Sequence, residues 1–249
     1  MPSLSIITTV FNAEKYLEDS LQSLLDQTFT DFEIILVNDG CTDGSTEILK
    51  DFASKHNAIY LENEKNEGVP FGRNKALQQA QGEYIAIHDA DDISLSFRLE
   101  KEVSYLQSHQ NIDFMGGHAI KIGENGEIIG SMSYPPPDTT GGIKAIHHWK
   151  LNPIIDPSCM FRRSIILEHG AYSLDPRYLT VQDFELWCRL LANGCLMANL
   201  QEPLIKYRIN PNGVTAGKYQ EQRLATDMVW GKFCKRRMQK LEQGKSAKK

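Results

Sequence analysis

Asp89-Ala90-Asp91-Asp92 places three carboxylates directly after the apolar run Tyr84-Ile85-Ala86-Ile87. Carboxylates this close repel one another, and a cation offsets the repulsion. Hard divalent ions such as Mg²⁺ take oxygen ligands, commonly one or two carboxylates with water and phosphate filling the rest, so the cluster is a candidate metal site. The competing reading is that Asp91 or Asp92 caps a helix over Ser94 to Gln107. Asp39 ends a second apolar run in Val37-Asn38-Asp39-Gly40, and Thr9-Val10-Phe11-Asn12 ends a third. A carboxylate that accepts from a base ring and an aromatic face that stacks on it together bind a nucleotide base. A turn residue and a core phenylalanine are the plain alternatives. In Gly72-Arg73-Asn74 the arginine has the planar fork that matches diphosphate oxygens, unless it is a solvated helix residue. In Gln182-Asp183-Phe184-Glu185-Leu186-Trp187 the aspartate can deprotonate a hydroxyl as it attacks an electrophile, or cap the helix it begins.

The elements that position these residues follow from periodicity. Leu4 to Val10 is a β-branched strand run, and Tyr16, Leu17, Leu21, Leu24 and Leu25 give Glu14 to Asp26 a helical stripe. Phe32 to Val37 repeats the strand, Ile48 to Ala53 the helix, and Ile59 to Leu61 makes a third, short strand. Gly68 to Ala80 reads as a helix, Glu83 to His88 as a buried strand and Phe97 to Gln107 as an amphipathic helix. Alternation of this kind predicts an α/β fold, an open, mainly parallel sheet flanked by helices. Ligands then sit beyond the carboxyl ends of the strands, where Phe11, Asp39 and Asp89 to Asp92 fall. Past Phe114 the alternation breaks. A hairpin is expected at Gly123 to Gly126, a loop at Pro135 to Pro137, helices around Ile143 to Trp149 and Phe184 to Ala192, a short strand at Cys159 to Phe161 and an extended piece at Leu204 to Arg208. From Lys232 to Lys249 the chain is basic and is expected to fray.

The 249 residues suffice for one domain with a sizeable core, and a formal net charge of −5 disfavours a surface built for nucleic acid. Five scattered cysteines without metal-ligand spacing fit a reducing cytoplasm. The N-terminus reads as a strand rather than a leader, and no run approaches the roughly 20 apolar residues of a membrane span.

Taken together, the motifs resemble the large family 2 of glycosyltransferases, with the GT-A nucleotide-diphospho-sugar transferase fold. The resemblance runs from Leu4 to about Val214. It rests on Ser5-Ile6-Ile7-Thr8-Thr9-Val10-Phe11-Asn12, on Val37-Asn38-Asp39-Gly40 with Thr42-Asp43-Gly44, on Gly68 with Arg73-Asn74, and on Gly82-Glu83-Tyr84-Ile85-Ala86 leading into Asp89-Ala90-Asp91-Asp92. Further on, Asp156-Pro157-Ser158-Cys159-Met160-Phe161-Arg162-Arg163 resembles the segment before the acceptor site. Asp183-Phe184-Glu185-Leu186-Trp187 resembles the catalytic-base motif, and Glu202 to Asn210 a common closing strand. Thr9 stands where proline is commoner, Phe11 for tyrosine, Gln182 for glutamate and Asn210 for histidine.

The resemblance implies a single domain with a nucleotide-sugar-binding half at 1–112, an acceptor-binding half at 113–215, and a C-terminal helix with a basic tail at 216–249. It implies Asp183 as catalytic base, Asp91 on a divalent Mn²⁺ or Mg²⁺, and a donor site of Thr9, Phe11, Asn12, Asp39, Arg73, Asn74 and Asp89. The implied reaction inverts the anomeric carbon of a nucleotide diphosphate sugar, with uridine the expected base, in polysaccharide or glycolipid synthesis. Its acceptor would be a saccharide or a lipid-linked saccharide, with aromatic faces at Trp149, Tyr172 and Trp187. The basic tail would allow peripheral contact with the inner face of a membrane. A nucleotidyltransferase and a catalytically inactive nucleotide-sugar binder are the alternatives. No glycine-rich phosphate loop at Thr8 to Ala13 supports the first, and a dinucleotide oxidoreductase lacks its G-x-G-x-x-G.

Overall fold

The computed structural model describes residues 1–133, 136–210 and 219–246, with the side chains of 219 and 241–246 outside the description. In chain order the elements begin β1 (Leu4–Val10), α1 (Glu14–Leu25), β2 (Phe32–Asn38), α2 (Ser45–His56), β3 (Ile59–Glu62), α3 (Val69–Gln79), β4 (Tyr84–Ile87), β5 (Ile93–Ser94) and α4 (Arg98–Ser108). They continue with β6 (Phe114–Ile122), β7 (Ile128–Met132), α5 (Thr139–Trp149), β8 (Met160–Arg162), α6 (Arg163–His169), α7 (Gln182–Asn193), β9 (Met197–Arg208) and α8 (Tyr219–Ser246).

Among the described residues the nine strands belong to one sheet in the order β3-β2-β1-β4-β8-β6-β9-β5, with β7 paired to β6. The β3-β2-β1-β4 section is parallel, as β-α-β alternation requires. Beyond it the pairing is mixed: β8 runs antiparallel to β4 and β6, whereas β6 and β9 are parallel. The α/β expectation therefore holds, with the parallel character concentrated in the first half.

The strands alternate their side chains between two cores, as a period of two demands. Ile7, Ile35, Val37, Ile85 and Ile87 pack with Phe184, Trp187 and Leu191 of α7 and with Val229 and Phe233 of α8. Ile6, Ile34, Leu36 and Ala86 pack instead with Leu17, Leu21 and Leu24 of α1, Leu49 of α2 and Leu99 and Val103 of α4. Each such aliphatic side chain contributes roughly 1.5–3 kcal/mol by leaving water. One glycine sets how closely a layer can approach. A Cβ on Gly72 would lie 2.6 Å from Thr9 Cγ2, so α3 settles onto β1 only because that position has no side chain.

Several expectations are adjusted. β9 spans Met197–Arg208 rather than Leu204 to Arg208, its first half masked in the sequence by Asn199, Gln201, Glu202 and Pro203. The segment after Asp92 is not yet helix: Ile93–Ser94 pairs with β9, and α4 begins at Arg98. The basic segment from Lys232 does not fray but continues α8 to Ser246, held by the burial of Val229 and Phe233. Residue 135 of the proline loop, the 215–216 boundary and residues 247–249 lie outside the described residues.

Under the end of β4 lies a buried polar cluster. Arg98 is fully enclosed, its Nε donating to Glu102 Oε2 at 3.1 Å, Nη1 to Ser94 Oγ, and Nη2 to the carbonyls of Ile87 and Cys159. Burial pushes the Glu102 carboxyl up to about 7 against the pull of Arg98. His88 bridges Ser20 Oγ and Ser94 Oγ, and burial, then Arg98, push it down to about 3, so its ring stays neutral. Removing one member of a buried ion pair leaves the other uncompensated, at a cost of about 3–5 kcal/mol. Arg98→Met is expected to destabilise the chain by that amount in denaturant unfolding at pH 8. Arg98→Met with Glu102→Leu should recover most of the loss, and equal stability of the single and double variants would contradict a buried charge pair.

Candidate active site

At the carboxyl end of β1, Phe11 is 46% exposed and Asn12 turns through a left-handed conformation, φ 50°. The Asn12 side chain clasps the neighbouring loop, accepting from Thr42 N at 2.8 Å and donating to Thr42 Oγ1 at 3.2 Å. Phe11 is thus left standing on a fixed turn with its face open. Thr9, one pleat back, has an enclosed hydroxyl with no hydrogen-bond partner and a methyl group against Gly72.

Asp39 follows β2 and is almost fully buried. Its Oδ1 accepts from Asn63 Nδ2 at 2.7 Å and Glu67 N at 3.0 Å, and its Oδ2 from Gly68 N at 2.8 Å. The carboxylate therefore organises the loop that leads into α3. Gly40, at φ 72°, allows the approach, because a Cβ there would meet the Lys65 backbone at 2.5 Å. A carboxylate oxygen accepts two hydrogen bonds, so Oδ2 retains capacity for one more donor.

Arg73 does not lie in solvent. Its guanidinium is 2% exposed, with Nη1 donating to Asp156 Oδ2 at 2.6 Å, Nη2 to Asp89 Oδ1 at 3.0 Å, and the Tyr172 ring 5.2 Å from its central carbon. Burial opposes its charge, but Asp156, Tyr172 and Asp89 outweigh that and keep it protonated. The structure spends this fork on two carboxylates, where the sequence suggested a diphosphate. Asn74 is likewise engaged within the protein, clasping the Tyr172 backbone by donating from Nδ2 to its carbonyl at 2.8 Å and accepting at Oδ1 from its amide at 3.0 Å.

Asp89 is 38% exposed beyond β4. Asp91 Oδ2 accepts from Asn210 Nδ2 at 3.3 Å, and burial, then Asp89, push its carboxyl above the usual range. Asp92 is a latch, its Oδ1 accepting from Arg208 N at 2.7 Å while Oδ2 is enclosed without a partner; burial, then Asp89 and Asp91, hold its carboxyl well up. Neither residue caps a helix, since Phe97 precedes α4 and no side chain caps it.

Asp183 is the second residue of α7, which Val181 precedes, so it is not the capping residue. It accepts from Asn152 Nδ2 at 2.5 Å. Burial raises its pKa against the pull of the Phe184 amide, Arg73 and Asn152. Asp156 lies within electrostatic reach of it, pushed up to about 7 by burial, and by Asp183 and Asp89 against the pull of Arg73. Asp89, Arg73, Asp156 and Asp183 thus form one charge cluster where the two halves of the sheet meet. Trp187 and Tyr172 are core rather than acceptor faces, at 0% and 3% exposed, whereas Trp149 is open at 65%.

Sequence reading missed Asn63, Asn152, Asp156 as a counter-ion, and Arg208. Two of them had a signal: Asp156 interrupts the apolar stretch Ile154 to Met160, and Arg208 ends a strand with no nearby acid in sequence. Asn63 and Asn152 sit in loops and had none. A shallow hollow of about 460 Å³ lined by Glu83, Tyr84, Gln107, Gln110 and Arg162 lies at the opposite, amino end of β4, away from these groups.

Comparison with known proteins gives the chain's family. The model of Glycosyl transferase family 2 matches residues 5–170. An uncharacterised glycosyltransferase of Methanocaldococcus jannaschii is 34% identical over 90% of this chain and 76% of its own length. The O-antigen biosynthesis glycosyltransferase WbnJ of Escherichia coli is 31% identical over 83% and 80% respectively. Among solved structures, S. aureus TarS 1–349 in complex with UDP-GlcNAc superposes with a TM-score of 0.70 at 20% identity, over 94% of this chain and 72% of that one. This chain spans 43% of the longer TarS chain. The mannosyltransferase PcManGT from Pyrobaculum calidifontis, in complex with GDP-Man and Mn²⁺, superposes at 0.66 with 17% identity, over 90% of this chain and 61% of that one. The chain belongs to glycosyl transferase family 2, a glycosyltransferase on a GT-A fold.

Proposed function

We propose that this glycosyltransferase inverts the anomeric carbon of a uridine diphosphate sugar in transferring it to a hydroxyl of a saccharide or lipid-linked saccharide of the cell envelope. The observation that carries the reading is the charge cluster of Asp89, Arg73, Asp156 and Asp183, which joins the donor-side strand ends to the acceptor-side helix. The UDP-GlcNAc in TarS and the O-antigen role of WbnJ support the donor and the pathway class.

Phe11 offers a face to the base and Asp39 Oδ2 accepts one further donor from it. Asp183 takes the proton of the acceptor hydroxyl as that oxygen bonds to the anomeric carbon. The bond from that carbon to the diphosphate oxygen breaks, and its electron pair leaves with the nucleoside diphosphate. A single attack of this kind inverts configuration. A carboxyl raised above its ordinary pKa is a stronger base once ionised, and Arg73 and Asn152 keep the ionised form accessible.

A divalent cation beside Asp91 is part of this proposal. Among the described residues no group of three or more His, Cys, Asp or Glu side chains is placed to hold an ion by itself. Asp91, crowded by Asp89 and met by a neutral amide from Asn210, would therefore share the ion with donor phosphates, the arrangement usual for Mg²⁺ and Mn²⁺. When bound, such an ion offsets negative charge on the departing diphosphate.

Peripheral membrane contact belongs to the same proposal. Among the described residues no helix is long and apolar enough to cross a membrane. On α8, however, Lys232, Lys235, Arg236 and Lys240 are exposed together with Leu224, Met228 and Met238. Each cation near an anionic surface contributes about 1 kcal/mol, enough in combination to offset repulsion from the acidic body.

Two outcomes are expected. Asp183→Asn should fold and bind UDP-sugar yet turn over roughly 10²-fold or more slowly, the loss typical of a missing general base; full turnover at reduced thermal stability would move the base elsewhere. Co-sedimentation with phosphatidylglycerol vesicles should fall when Lys235, Arg236 and Lys240 are all replaced by glutamine, and should fall for the natural chain in high salt. Binding indifferent to both changes would remove the membrane role.

A further inference from the structure

Helix α5 ends at Trp149 in a turn that is normally glycine's. Lys150 takes a left-handed conformation, φ 53° and ψ 33°, with its amide on the Ile146 carbonyl and that of Leu151 on the Ala145 carbonyl. A residue with a side chain is uncommon in this conformation, and the surroundings must hold it there. Here α8 does so. Lys150 Nζ meets Asp227 Oδ1 at 2.5 Å and lies 4.6 Å from the centre of the Trp230 ring, while Trp230 Nε1 donates to the His147 carbonyl at 3.2 Å. Two residues beyond that turn, Asn152 Nδ2 donates to Asp183 Oδ2 at 2.5 Å, and Asn152 Oδ1 accepts weakly from Ile154 N at 3.4 Å.

We infer that Asn152 is a positioning residue for Asp183, and that the C-terminal helix α8 sets it in place by gripping Lys150. This rests on the reading of Asp183 as the base. A carboxylate has two oxygens of equal basicity, and a hydrogen bond to one of them fixes the rotamer and leaves the other for the acceptor hydroxyl. An amide suits the task because it donates without carrying charge into a cluster already crowded with carboxylates. Asp183 faces Arg73 from α3, Asp156 from the turn before β8, Tyr172, Tyr207 of β9 and Cys188 of its own helix. Of these only Arg73 is a cation, and the Asn152 donor adds to it and to the Phe184 and Asp183 amides in supporting the ionised form. The geometry also gives α8 a task in catalysis, exerted through Lys150.

The first readout is the carboxyl itself, which needs no acceptor. The full chain is labelled with ¹³C at aspartate carboxyls, and the Asp183 signal is the one missing from Asp183→Asn. In Asn152→Leu, close in shape but without a donor, the Asp183 titration midpoint should rise by roughly one pH unit. Asn152→Ser, whose shorter side chain cannot span the same gap, should raise it too and serves if the leucine variant does not fold. Asp227→Asn, on α8, should move the midpoint the same way by less. An unmoved midpoint in the folded Asn152 variant overturns the positioning role, and an unmoved midpoint in Asp227→Asn overturns the part assigned to α8. Retained turnover in Asp183→Asn overturns both this inference and the base assignment. Lost turnover there with an unmoved midpoint in Asn152→Leu overturns this inference alone.

Discussion

A guanidinium that is 2% exposed exists only if its charge is met, and the way Arg73 is met decides how the site is built. Its partners come from two sections of the sheet: Asp89 from the end of β4 in the parallel section, Asp156 from the turn before β8, the neighbouring strand that opens the mixed section. Breaking one side would leave an uncompensated buried charge, which is worth several kcal/mol. Asn74, the next residue, clasps the Tyr172 backbone, and Tyr172 lies against the Arg73 guanidinium. A single turn of α3 thus ties the end of β4 to the turn before β8 and to the Tyr172 backbone. The absence of a side chain at Gly72 lets that turn come close enough to β1.

Chemistry is distributed accordingly. Two acids that look alike in sequence do different work: Asp91 stays at the crevice with a neutral amide for a neighbour, whereas Asp92 is buried against the backbone of Arg208. Asn210, in the place where histidine is common in the resembling family, brings no positive charge to Asp91. The positive charge that acts on Asp91 comes from Arg208, whose Nε donates to the Asp91 carbonyl at 2.8 Å.

Much of this was legible beforehand, and the exceptions have physical reasons. The strands β1, β2 and β4 are rich in apolar and β-branched residues because a parallel sheet is buried on both faces, and the acids after β2 and β4 mark strand ends. That local pattern gave Asp39, Asp89 and Asp91 their places. The partners of Arg73 were not legible, because Asp156 lies 83 residues away and only the folded sheet brings it near. Arg73 and Asn74 looked like surface or ligand-facing residues since nothing in a single helix shows which face a second half of the chain will cover. The basic end of α8 looked frayed because its charges outnumber its apolar residues, yet Val229 and Phe233 suffice to seat the helix on α7. Trp187 looked like a sugar platform and is core, as buried tryptophans usually are, stacked on Phe114 with ring centres 5.1 Å apart.

The central claim is that the carboxyl ends of the parallel strands form a cation-assisted site for a nucleotide sugar. Release of nucleoside diphosphate from a panel of UDP-, GDP- and dTDP-sugars, with Mn²⁺, with Mg²⁺ and with a chelator, measures it directly. The account predicts release from a UDP-sugar that depends on the ion and is lost in Asp91→Ala. Release of pyrophosphate from a nucleoside triphosphate instead, or no release from any sugar nucleotide by the folded chain, would contradict it.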